Sequence, residues 1–228
     1  MTDPSPRRSR PGAAAETSRP IGQPANTALL DRDELLMLYQ TVAPRLADNR
    51  APILVVTSAT SGAGVSTVAR EFGQVVAGEI RKTVLLLVAS PKVEEANSLA
   101  AVIDRDLPVD KAIEADPEIP LLYHARLCTR GGHASRLFES AELDRVLSHA
   151  LQFIRLILID APPVLSDMTA LTLARRAAGV ILVVEAEKTR TSVVEQARRS
   201  IESTEGRLCG VILNKRRHRG KRPLFGRS

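Results

Sequence analysis

Cysteine is scarce in this chain: Cys128 and Cys209 are the only two in 228 residues. They lie far apart, without a C-x-x-C or a histidine-rich neighbourhood, which excludes a disulfide scaffold and gives no metal-binding pattern. Cys209 falls inside an apolar run and reads as a small core residue. Long apolar runs are also missing. Nothing approaches the ~18–20 residues that a membrane-crossing helix needs, and the Pro-, Arg- and Ser-rich start lacks the apolar stretch of a secretory signal. The expected location is therefore the cytoplasm. Tyrosine is confined to Tyr39 and Tyr123, and no internal repeat is visible.

What is present suits one globular core. With 44% hydrophobic residues, a chain of this length can bury a single substantial domain. The formal charge of +6 is unevenly placed. Lys215, Arg216, Arg217, Arg219, Lys221, Arg222 and Arg227 crowd the last fourteen residues, and Arg7, Arg8 and Arg10 lie near the start. Such ends are either solubilising or drawn to anionic surfaces, nucleic acid or the inner face of a membrane. Residues 1–28 are expected to be a disordered tail, 29–214 one folded domain, and 215–228 a basic tail.

Within the domain, Asp31 and Glu34 resemble a capping box. Leu35, Leu38, Tyr39, Val42 and Leu46 follow at helical spacing, predicting a first helix that stops near Pro44 or Asn49. Short, nearly continuous, β-branched runs then recur at 53–56, 84–88, 156–159, 180–184 and 211–213, as in strands covered on both faces. Helical patterns over 65–81, 140–152, 167–177 and 191–203 separate most of them. The alternation predicts an α/β, three-layer P-loop NTPase-like fold with a mostly parallel central sheet and helices on both faces. Between 91 and 135 the pattern is weaker, with a short helix at 109–115 and a strand around Leu121-Leu122-Tyr123 as the readings.

Between the first strand and the second helix lies Ala59-Thr60-Ser61-Gly62-Ala63-Gly64-Val65-Ser66-Thr67. This has the form of a phosphate-binding loop, in which small residues let backbone N–H groups wrap phosphates, a lysine reaches the β- and γ-phosphates, and a Ser/Thr hydroxyl holds Mg²⁺. The lysine position is occupied by Val65. Gly62 and Gly64 suit a turn that requires permissive backbone. A single charge-assisted hydrogen bond to phosphate contributes roughly 1.5–3 kcal/mol, so its loss weakens nucleotide binding by about one to two decades. Transfer of a phosphoryl group suffers more, because lysine and metal stabilise the charge on the moving oxygens.

From about residue 50 to 214 the chain resembles the cytoplasmic domain of bacterial tyrosine autokinases of the CpsD/CapB type, deviant P-loop ATPases that act with membrane-bound polysaccharide chain-length regulators. The resemblance is carried by the phosphate loop, by Leu156-Ile157-Leu158-Ile159-Asp160-Ala161-Pro162-Pro163, by Gly179 to Val184 with Lys188-Thr189-Arg190, and by Gly210-Val211-Ile212-Leu213-Asn214. It implies ATP and Mg²⁺ as cofactors, weakened or lost by the substitution at Val65. It further implies that Ser66 is a hydroxyl ligand of Mg²⁺, that Asp160 orients magnesium-bound water, that Thr67 contacts the α-phosphate, and that Asn214 meets the adenine edge.

Departures from the pattern bear on activity. The family carries Asp-x-Asp where this chain has Val88-Ala89-Ser90, and related partitioning ATPases carry an extra lysine where it has Thr60. A tyrosine-rich C-terminal cluster is missing, and the family's ring-forming Glu-x-x-Arg-x-x-Arg pattern reads Glu34-x-x-Met37-x-x-Gln40. No catalytic residue is assigned. The expectation is a pseudokinase of exopolysaccharide or capsule export, held peripherally at the inner membrane by a chain-length regulator or an active kinase. Its alternatives are a weakly ATP-binding tyrosine kinase of the same pathway and a partitioning-type relative that binds DNA, although nucleic acid is not the expected partner. Lys82, Lys92 and Arg190 are candidates to supply charge to the loop.

Overall fold

A computed structural model describes residues 30–47, 52–90, 98–105, 107–128, 141, 147–148 and 150–216. The expected disordered tail and nearly all of the basic tail lie outside them, as do Lys92 and most of the helix expected over 140–152.

In chain order the elements are α1 (Arg32–Ala47), β1 (Ile53–Ser58), α2 (Val65–Gly78), β2 (Val84–Ser90), α3 (Leu99–Asp104), a 3₁₀ turn (Val109–Ala112), β3 (Ile113–Ala115), β4 (Leu122–Cys128), β5 (Leu156–Asp160), α4 (Met168–Arg176), β6 (Gly179–Glu185), α5 (Thr191–Ser203) and β7 (Leu208–Asn214). The strands form one seven-stranded sheet in the order β3-β4-β2-β5-β1-β6-β7. Every pairing is parallel except β3 with β4.

The apolar runs at 53–56, 84–88, 156–159 and 180–184 are explained by burial on two sides; the run at 211–213, expected to be covered on both faces, lies instead in the edge strand β7, where Val211 and Leu213 are exposed. Along β1, Ile53 and Val55 face a layer that includes Leu99, Val102, Ala170, Leu173, Ala197 and Ile201 from α3, α4 and α5. Leu54 and Val56 face the opposite layer, built from Leu35, Tyr39 and Val42 of α1 and Val68, Phe72 and Val76 of α2. Residues alternate between faces with the two-residue period of a strand, yet both faces are dry, so alternation in hydrophobicity disappears. Each fully buried Val, Leu or Ile contributes about 1.5–3 kcal/mol relative to exposure. This places the anchoring strands β1, β5 and β2 in the most stable part of the molecule.

The five apolar runs are all strands, and β4 contains the one expected around Tyr123. Helix α1 passes Pro44 and ends at Ala47. A proline there removes one backbone bond, and the apolar stripe of Leu35, Tyr39 and Val42 holds the helix against the sheet. Helix α2 stops earlier than the periodicity suggested. Near its end the Val75 carbonyl accepts from the N–H groups of Glu79 and Ile80 and the Val76 carbonyl from that of Lys82, and Arg81 turns the chain at φ 59°. The expected helix at 109–115 is instead a 3₁₀ turn followed by β3, because Ile113–Ala115 pairs antiparallel with Tyr123–Ala125. Asp116 closes that hairpin. Its Oδ1 accepts from the N–H groups of Glu118 and Ile119, each at 2.9 Å, and its Oδ2 lies 2.7 Å from His124 Nε2.

Candidate functional site

Strand β1 is the hydrophobic floor from which the loop Ala59–Gly64 rises, and α2 begins at once with Val65. Two glycines make the turn: Gly62 has φ 87° and Gly64 has φ 90°, conformations that cost little only without a Cβ. Four carbonyls of the loop are engaged from outside it. Ser58 Oγ donates to Thr60 O at 2.8 Å, Lys215 Nζ to Gly62 O at 2.6 Å, Asn214 Nδ2 to Ala63 O at 2.8 Å, and Val68 N–H to Gly64 O at 3.1 Å.

In a trans peptide the N–H points opposite to the preceding carbonyl. Holding the carbonyls of Gly62 and Ala63 outward therefore turns the N–H groups of Ala63 and Gly64 the other way. Among the described residues, no N–H group from Gly62 to Thr67 has a protein acceptor. These donors, at the positive end of the 14-residue helix α2, form an anion cradle.

Asp160 ends β5 directly beside this cradle. It pairs in register with Val56 of β1 and Val88 of β2, and is buried, 8% exposed. The Ser66 hydroxyl is close enough to act on its carboxylate. Burial pushes the Asp160 carboxyl above its ordinary value, and the hydrogen bond from Ser66 offsets this only in part. The segment beyond Asp160 is fastened to β1: Ala161 N–H donates to Val56 O, Thr57 Oγ1 to Pro162 O at 2.6 Å, and Val164 N–H to Ser58 O. The donor set of one hydroxyl and one carboxylate beside an anion cradle fits Mg²⁺, which takes few protein ligands and completes its shell with phosphate and water. Among the described residues there is no cluster of three His, Cys, Asp or Glu side chains suited to a protein-only metal site.

The structure thus brings Gly62, Gly64, Ser66, Thr67 and Asp160 together around one end of α2, with Asn214 behind the loop. Asn214 is fully buried; besides the bond to Ala63, its Oδ1 accepts from Lys215 N–H at 2.8 Å. Val65 packs against the apolar layer of α1 and α2. Of the cations considered from sequence, Lys82 lies 5.7 Å from the centroid of the Tyr39 ring and Arg190 is exposed ahead of α5. The cation that reaches the loop is Lys215, which the sequence places at the head of a basic run. Its ammonium also lies 3.6 Å from Glu185 Oε1. Hydrogen bonding from Lys188 holds the Glu185 carboxyl below its usual range, with Lys215 adding to the effect.

No family model matches the chain. It is similar to the tyrosine-protein kinase YwqD of Bacillus subtilis (strain 168), 24% identical over 191 residues, which cover 77% of this chain and 79% of that protein. Among solved structures, the kinase domain of the Escherichia coli tyrosine kinase ETK superposes with a TM-score of 0.71 at 19% identity, covering 95% of this chain and 88% of that one. An ATP complex of a Cyanothece McdA variant is a looser match, with a TM-score of 0.57 at 18% identity and coverage of 72% and 70%. The fold is that of the P-loop ATPases.

Proposed function

We propose that this chain, related in sequence and fold to the bacterial tyrosine autokinases of the CpsD/CapB type, is a pseudokinase that serves capsule or exopolysaccharide export by binding a partner rather than phosphorylating one. The observation that carries this reading is the pairing of Val88 with Asp160, together with Val65 at the first position of α2. The site keeps its backbone donors and one carboxylate, and has aliphatic side chains where charge would have to be stabilised during transfer. Phosphoryl transfer relies on such preorganised charge for most of its acceleration.

In this proposal ATP or ADP rests its phosphates on the N–H groups from Gly62 to Thr67, and Ser66 and Asp160 hold Mg²⁺; Asn214, expected at the adenine edge, is fully buried with both ends of its amide bonded and braces the loop from behind instead. The metal, when bound, would neutralise charge on the phosphate oxygens. The partner is the cytoplasmic part of a chain-length regulator or an active kinase of the same fold. In this proposal the partner supplies attachment to the inner membrane; no helix among the described residues is long and apolar enough to cross a membrane. The Lys/Arg residues beyond Lys215 add about 1 kcal/mol each where they approach anionic lipid.

The test is incubation of the purified protein with Mg²⁺ and γ-labelled ATP, beside affinity capture of the tagged chain from its host. The expected outcome is no label on the chain or on added tyrosine substrates, with a regulator or kinase captured. Incorporation of label at Tyr39 or Tyr123 would overturn the reading.

A further inference from the structure

Two consecutive residues at the end of β7 hold two consecutive carbonyls of the phosphate loop: Asn214 Nδ2 holds Ala63, and Lys215 Nζ holds Gly62. Lys215 stands at φ 57°, so the chain leaves the strand in a left-handed turn just where the side chain reaches back to the loop. Glu185, in register with Asn214 on the neighbouring strand β6, steadies the ammonium from the other side at 3.6 Å. This is the one lysine with a hydrogen bond to the loop among the described residues. It stands at a loop whose own lysine position holds Val65.

We infer that Lys215 is a positioning residue for anion binding in this loop, and that it takes over part of the task left by the absence of a lysine at position 65. By drawing the Gly62 carbonyl outward, it fixes the Gly62–Ala63 peptide with the Ala63 N–H turned inward. Its positive charge, 40% exposed at the side chain, lies within hydrogen-bond reach of the loop backbone and raises the potential felt by a bound polyphosphate. The ligand class is a nucleoside di- or triphosphate, or inorganic pyrophosphate. The inference rests on reading the loop as a nucleotide site and adds the residue that sustains it.

The experiment is calorimetric titration of the full chain with pyrophosphate and with ADP plus Mg²⁺, across a series of salt concentrations, using wild type, Lys215→Ala, Lys215→Arg and Val65→Lys. Thermal unfolding is followed in parallel. Loss of one charge-assisted contact predicts about a tenfold weaker Kd for Lys215→Ala, together with a shallower salt dependence. Lys215→Arg should restore both, and all variants should keep a single cooperative unfolding transition, so that the change in affinity is not a loss of fold. Equal affinity in wild type and Lys215→Ala would overturn the inference, as would failure of Lys215→Arg to rescue. If wild type binds neither probe while Val65→Lys binds both, the inference fails and the nucleotide reading of the loop stands. If Val65→Lys also binds neither, that reading fails with it.

Discussion

Val88 and Asp160 stand side by side on adjacent parallel strands, an aliphatic side chain in register with a buried carboxylate. On the proposed reading this pairing divides nucleotide binding from chemistry. Val65→Lys alone should tighten ADP binding by about one to two decades, from one restored charge-assisted bond. ATP turnover should stay at the wild-type level until Val88→Asp and Ser90→Asp are added. Calorimetry and a phosphate-release assay on the same preparations separate the two effects, and turnover in the single variant would show that the second acidic motif is dispensable.

Asp160 should be a stability burden. Its folded pKa is raised by burial, so the folded state binds the proton more readily than the unfolded chain. Stability then falls as pH rises from the ordinary carboxylate pKa of about 3.9 through the raised folded value. Asp160→Asn should unfold at a higher temperature than wild type at pH 7, with the gap closing as the pH is lowered toward the ordinary carboxylate pKa. The same variant should lose any Mg²⁺-dependent part of nucleotide binding. A midpoint below that of wild type at neutral pH would contradict this account.

The hairpin ahead of β4 responds to pH in the opposite sense. Burial pulls the Asp116 carboxyl upward, but hydrogen bonds from His124 and from the N–H groups of Glu118 and Ile119 outweigh it and leave the group below its ordinary value. Its contribution is present above about pH 3.9 and is lost as pH falls through the depressed folded value. Asp116→Ala should cost about 2 kcal/mol at pH 7, and Asp116→Asn about half of that because an oxygen remains for the two N–H groups. Denaturant titrations at neutral and at acid pH would check the magnitude and its decline.

Gly206 sits where α5 turns into β7, and a Cβ there would meet the Ile201 carbonyl at 2.9 Å and the Ala174 methyl at 3.1 Å. Gly206→Ala should therefore destabilise the protein by about 1–3 kcal/mol through overpacking, read as a lower midpoint in urea with an unchanged slope. Gly78, with nothing within 4 Å of an added Cβ, is the control and should tolerate alanine.

Much of this architecture is legible in the sequence because the central strands are buried on both faces and announce themselves as unbroken apolar runs. The edge is less legible. In β4, His124 and Arg126 interrupt the apolar pattern, and β3 has three residues whose strand character comes from pairing with β4. At the site, Gly62, Gly64 and Ser66 are visible because a phosphate loop constrains residue type at fixed spacing, and Asp160 through the resemblance of the run Leu156-Ile157-Leu158-Ile159-Asp160-Ala161-Pro162-Pro163. Lys215 is not. Composition assigns a lysine in a basic run to solvent, and its partner Gly62 lies 153 residues away, a separation that no local pattern spans. Asn214 is singled out by the terminal-strand motif, and its hold on Ala63 emerges from the folded geometry.

The bonds from Asn214 and Lys215 to the loop also impose an order in time. A growing chain makes the loop first and the strand end that holds it last, and domains made on the ribosome fold as units once their parts are available. A product truncated before β7 would contain every glycine, hydroxyl and carboxylate of the site and still have no clasp on Gly62 or Ala63. On the inference drawn above, full competence to hold an anion is thereby tied to synthesis through β7 and Lys215.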